Sequence, residues 1–144
     1  MLKFFKNKID KKDTKSNIDL LSKTASLLIH AAKIDEEYTN KEKEIIRKTI
    51  IELGAKNSFV DEIIKKAEEM EKNSNQILDF TKEIKNSNED FKIKIIETLW
   101  GIIYSNDNAD MYETNLMRRL SGLIYVEDKI IGSIKEKIKK KFSK

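Results

Sequence analysis

The sequence lacks cysteine and proline altogether, and it holds one histidine and four glycines among 144 residues. Without cysteine, disulfides, thiolate metal ligands and cysteine nucleophiles are excluded. Without proline, and with so little glycine, the turn chemistry that many short strands require is missing, whereas long helices tolerate this composition. The single histidine, His30, cannot form a zinc site unaided, and no Ser-His-Asp arrangement can be argued from it. No glycine-rich phosphate loop and no nucleophile-elbow pattern occurs, so nucleotide and hydrolase chemistry have no support. No apolar run approaches the roughly 20 residues of a membrane-spanning helix, and the first residues lack the apolar core of a secretory signal. The expectation is a cytoplasmic, non-enzymatic domain.

Charge is plentiful but uneven. Residues 1–16 carry six Lys against two Asp, and residues 135–144 carry six Lys against one Glu. The stretch between them holds 17 basic and 22 acidic side chains, so an acidic body lies between two basic ends. Such ends suit weak contact with anionic membrane, and Phe4, Phe5 and Ile9 among Lys3, Lys6 and Lys8 have the pattern of a short interfacial helix. Phosphates of nucleic acid are a less favoured partner, and solvated lysine-rich tails need no partner at all. The chain divides into a basic segment over 1–16, a helical domain over 17–138 and a basic tail over 139–144.

Apolar residues recur at three- and four-residue steps through Leu20, Leu21, Leu27, Leu28 and Ala31, predicting a first helix over about 17–33. Thr39 and Glu42 form a capping box that opens a second helix, which Gly54 stops. Ser58 is a candidate cap for a third helix through Phe59, Ile63, Ile64 and Ala67. A shorter fourth helix carries Ile77, Phe80 and Ile84. The fifth, about 89–104, has Ile95, Ile96, Leu99, Trp100, Ile102 and Ile103, an apolar surface broad enough for a central helix. The sixth opens at Asp110, and the seventh, from about Glu127, gives way to lysines after Ile138. The fold expected is all-α: one compact bundle of about seven helices.

The bundle carries an internal echo at an offset of 71 residues. Asp35 falls on Asn106, Thr39 on Asp110, Glu42 on Glu113, Arg47 on Arg118, Leu53 on Ile124 and Phe59 on Ile130. Helices one to three and five to seven are therefore expected to be two pseudo-symmetric copies of one unit. The matched acids are not EF-hands. Counted from Asp35, the sixth and twelfth positions are Asn40 and Ile46. Counted from Asn106, they are Met111 and Met117. The Gly and bidentate Glu that the loop requires are absent. Two readings of the acids stay open: helix caps, or a shared oxygen site in which Asp35, Glu42, Asn106, Asp110 and Glu113 hold a divalent cation, Ca²⁺ or Mg²⁺.

The stretches Ala31-Ala-Lys-Ile-Asp35-Glu-Glu-Tyr-Thr-Asn-Lys-Glu42 and Leu99-Trp100-Gly-Ile-Ile-Tyr104-Ser-Asn106-Asp-Asn-Ala-Asp110-Met-Tyr-Glu113, with Leu116-Met-Arg118-Arg119 after them, resemble the TerB-like family. This is the tellurite-resistance TerB domain, related to the N-terminal region of a DnaJ-type membrane co-chaperone. The resemblance spans about residues 18–138. It implies an all-α fold of paired helical repeats, an acidic cluster suspected of binding a divalent cation, a link to tellurite and general stress responses, and no assigned enzymatic activity. Carried over by position, the acids are Asp35, Glu42, Asp110 and Glu113. The family's glycines stand here as Glu36 and Asp107, and the Asp of its second repeat stands as Asn106, which ligates only through its carbonyl. The function expected is a binding or scaffolding module with an unidentified protein partner. The alternative is a peripheral adaptor acting on membrane or nucleic acid through its basic ends.

Overall fold

In the computed structural model of the chain the described residues are 18–33, 38–74, 77–105 and 111–142, with backbone alone described at 105, 111–114 and 142. They form helices joined by short connections, with no strand among them. The first helix, α1, covers 18–32. It is followed by α2 (Asn40–Glu52), α3 (Asn57–Asn73), the single turn α4 (Leu78–Thr81), a 3₁₀ turn at Ile84–Asn86, α5 (Glu89–Ser105), α6 (Met111–Leu123) and α7 (Asp128–Phe142). The all-α bundle expected from the periodicity is thus the observed fold.

At the centre lies α5, which packs against both α2 and α7. From Phe91 to Tyr104 none of its residues is exposed, and Ile95, Ile96 and Leu99 are fully buried. Each such side chain contributes roughly 1.5–3 kcal/mol relative to exposure. Polar groups on this stretch are bound by neighbours. Thr49 of α2 donates its hydroxyl to Thr98 at 3.0 Å, and the Thr98 hydroxyl goes to the Lys94 carbonyl oxygen at 2.9 Å. Lys94 pairs with Glu52 of α2, and that hydrogen bond, against a smaller effect of burial, holds the Glu52 carboxyl below its ordinary range. On the other side, Trp100 donates its indole N–H to the Ile131 carbonyl at 3.2 Å, stacks on Tyr104 at 6.1 Å and carries the Lys135 ammonium 5.3 Å from its ring centre. Trp100 is a core residue, as its helical spacing predicts.

Helix α1 rests on α3. The Ser26 hydroxyl lies 3.0 Å from the Ala67 carbonyl oxygen, Lys66 pairs with Asp19 at 3.0 Å, and Glu71 takes Lys33 at 2.8 Å and His30 Nδ1 at 3.5 Å. His30 sits at the edge of the packed face, its ring 6.4 Å from Phe80.

Three boundaries differ from those the sequence predicts. Ser58 does not cap α3: the helix starts one residue earlier, at Asn57, with Lys56 at the cap and no side-chain cap bond. The N–H groups of Phe59 and Val60 both reach the Lys56 carbonyl, so the first turn closes through the backbone without the serine. The fourth helix shrinks to one α turn and a separate 3₁₀ turn, because Ile77, Phe80 and Ile84 are all buried in a segment too short to propagate. The last helix continues through Lys139, Lys140 and Lys141 to Phe142 instead of ending before them. Three positive charges at the negative end of a helix dipole favour that extension.

The two helical hairpins agree in backbone detail at the 71-residue offset. The starts Asn40 and Met111, the ends Glu52 and Leu123, and the following starts Asn57 and Asp128 all correspond. So do the closing bonds: Ala55 N–H to Ile50 O at 3.1 Å and Val126 N–H to Ser121 O at 3.0 Å, the six-residue bond of a Schellman cap. Both caps place the next-to-last residue at positive φ, Gly54 at 123° and Tyr125 at 58°. Glycine suits that backbone, whereas a residue with a Cβ is strained there by roughly 1–2 kcal/mol. Gly54→Ala is therefore expected to destabilise the protein by about 1–2 kcal/mol and Tyr125→Gly to stabilise it by up to about 1 kcal/mol, both read from urea unfolding midpoints.

Candidate functional site

The acid-bearing connections are where sequence and resemblance place a site. Of the five residues expected to ligate, Glu42 is fully described. Asp35, Asn106 and Asp110 lie outside the described residues, as does the side chain of Glu113.

Glu42 stands at the third position of α2 and is completely buried. Its burial follows from the local sequence. Thr39 adopts an extended backbone and caps the helix, its hydroxyl accepting the Glu42 N–H at 3.1 Å. The Glu42 carboxylate in turn accepts the Thr39 N–H at 2.8 Å and the Thr39 hydroxyl at 3.0 Å, both on Oε1. This is the capping box read from the T-x-x-E pattern. It fixes a carboxylate at the positive end of α2, where negative charge is favoured.

Beside it lies Tyr38, a residue that no motif in the sequence marks. Its ring packs against the core, and its hydroxyl oxygen is buried with no hydrogen-bond partner among the described residues. Burial pushes the phenol pKa up first, and the nearby carboxylates of Glu68 and Glu42 push it further. Glu42 and Glu68 thus place Tyr38 in a negative field. The only signal available in the sequence is the adjacency of Tyr38 to the capping pair.

The donor set has the chemistry of a hard-cation site: all oxygen, from carboxylates and one amide, with no imidazole or thiolate. Among the described residues no group of three or more His, Cys, Asp or Glu stands close enough to hold a metal ion. Glu42 is thus the one ligand candidate with a described side chain, and its Oε1 is engaged by the cap. The adjacent cations Arg118 and Arg119 are exposed on α6. No helix among the described residues is long and apolar enough to cross a membrane.

Removing the Thr39 hydroxyl in Thr39→Val is expected to cost about 1 kcal/mol. Tyr38→Phe is expected to raise stability at neutral pH by about 1 kcal/mol, because it deletes a buried hydroxyl without a partner. With its pKa raised by folding, Tyr38 contributes stability that is present below the ordinary phenol value of about 10 and lost as pH rises above it. The alkaline fall in stability should accordingly be shallower in Tyr38→Phe, as urea unfolding at several pH values from 9 to about 11 would show.

A family model described as tellurite resistance protein TerB matches residues 21–136. No curated protein and no solved structure matches the sequence.

Proposed function

The chain belongs to the TerB family of tellurite-resistance domains, and from that premise we propose that it is a non-enzymatic binding or scaffolding module of tellurite or general stress response, with a weak divalent-cation site at its acidic connections. The observation that carries this reading is Glu42: a fully buried carboxylate, oriented by a complete capping box, at the position where the family resemblance puts an acid. A buried carboxylate whose rotamer is fixed before binding loses little freedom when it ligates. Asp35, Asn106, Asp110 and Glu113 are the residues that would complete the site, supplying hard oxygen ligands for Ca²⁺ or Mg²⁺.

The substitution of Asn106 for an acid removes one negative charge, and Glu36 and Asp107 replace glycines that favour tight turns. Both changes weaken divalent binding relative to a fully acidic glycine-bearing loop. Binding in the millimolar range is the consequence, roughly where low-affinity extracellular calcium modules fall.

The test is titration of the metal-free protein with CaCl₂ and with MgCl₂, followed by ¹H–¹⁵N NMR. Saturable shifts at Asp35, Glu42, Asp110 and Glu113 at millimolar metal, lost in Glu42→Gln, are expected. Absence of shifts at these residues would remove the cation site while leaving the family and fold untouched.

A further inference from the structure

Phe59, on the first turn of α3, is one of the large apolar side chains left exposed among the described residues. Two cavities adjoin it. One, of about 190 Å³, is also bordered by Leu21, Gly54 and Ala55, and the other, of about 310 Å³, reaches Glu62. Both share Ile18, Phe59 and Ile63, so together they make one apolar groove along the first turns of α1 and α3. Each is larger than the roughly 150 Å³ apolar cavity that accepts a benzene ring.

What covers this groove is indicated by the other half of the molecule. Helices α1 and α5 correspond at the 71-residue offset, and the chain leading into α5 is described. There Ile77, Phe80 and Ile84, at steps of three and four residues, are all buried. Just beyond them the Lys85 ammonium lies 5.8 Å from the ring centre of Tyr125, the counterpart of Gly54 in the hairpin cap. The segment before α5 thus packs an apolar trio on the bundle and comes up to the cap of the second hairpin. The segment before α1 has the same spacing in Leu2, Phe5 and Ile9.

Length and charge fit as well. Between Ile9 and Ile18 stand the eight residues Asp10 to Asn17, with no large apolar side chain among them. Extended, they reach up to about 29 Å. That is ample for the chain to turn back onto a groove that Ile18 itself borders. Glu62 is exposed at the edge of the groove, and no described residue pairs with it. Lys3, Lys6 and Lys8, interleaved with the trio, bring the opposite charge. In the second half the positions of Ile18, Leu21 and Glu62 are taken by Glu89, Lys92 and Ser133. The apolar groove with its carboxylate therefore belongs to the half that residues 1–17 lead into.

We infer that residues 1–9 dock in this groove of their own chain, laying Leu2, Phe5 and Ile9 against Ile18, Phe59 and Ile63 with the lysines toward Glu62. Burial of apolar surface drives the docking. The segment is then an intramolecular strap, and its docked side chains are withheld from a lipid surface. The inference is independent of the cation proposal.

Because the chain has no cysteine, Asn7→Cys gives a single attachment point for a nitroxide spin label on the full chain. Loss of ¹H–¹⁵N amide intensity at Gly54, Ala55, Phe59 and Ile63 is expected. The intensity should return when ascorbate reduces the label, and no loss should occur when Phe5→Ser and Ile9→Ser are added. In urea unfolding of the unlabelled chain, Phe5→Ser and Phe59→Ser should each lower the midpoint, and the double variant should fall by less than the sum, since both remove one contact. No loss at the groove, loss undiminished by Phe5→Ser with Ile9→Ser, or additive midpoints would overturn the proposal. Equal loss on ¹⁵N-labelled chain without nitroxide, mixed with nitroxide-bearing chain, would assign the groove to a second copy and overturn it too. Binding to phosphatidylserine vesicles with no loss at the groove in their absence would assign the segment to a membrane, with the same consequence.

Discussion

The burial of α5 is the constraint on which the rest of this structure depends. A helix with no exposed residue from Phe91 to Tyr104 must be surrounded, and α2 and α7 supply two of the surrounding walls. Because apolar residues alone do not make up that stretch, each polar group on it has to be answered by a neighbour or remain costly. Thr49 answers Thr98, Glu52 answers Lys94, and Lys137 answers Glu97. These pairings fix the faces that α2 and α7 present to the centre. Lys92, near the start of the same helix, buries its aliphatic stem there.

The hairpin geometry depends on backbone bonding that tolerates very different side chains. Two Schellman caps close α2 and α6 with the same hydrogen bonds, although one has Gly54 at the left-handed position and the other Tyr125. The repeated backbone therefore leaves the side chains free to diverge. In the first half the cavity beside the cap, bordered by Ile18, Leu21, Phe59 and Ile63, is mostly apolar, and in the second the one bordered by Glu89, Lys92 and Glu127 is charged. Such differences distinguish the two halves, since the fold alone does not define an activity.

Much of this is legible in the sequence. The T-x-x-E pattern at Thr39 specifies its capping box, and Gly54 specifies the helix stop, because both signals are local and each has one physical solution. The central helix is legible from Ile95, Ile96, Leu99 and Ile102, whose spacing leaves no polar face. Ser58 misleads, since a serine near a helix start is dispensable once the backbone has closed the turn. The fourth helix misleads because apolar spacing over so short a stretch does not distinguish a helix from two turns. The burial of Lys92 and the backbone of Tyr125 are not legible: a lysine in an amphipathic helix reads as exposed, and only the 71-residue register matches Lys92 with Leu21 and Tyr125 with Gly54. Tyr38 is marked only by its adjacency to the capping pair, because nothing local reveals that its hydroxyl is buried beside Glu42 and Glu68.

The proposed cation site lies near the capped start of α2, where Glu42 is buried and held by Thr39. The most direct measurement is a series of ¹H–¹⁵N spectra of the metal-free chain recorded during titration with CaCl₂. Saturable shifts grouped around Glu42 at millimolar calcium are predicted. No saturable movement around Glu42 would contradict the account.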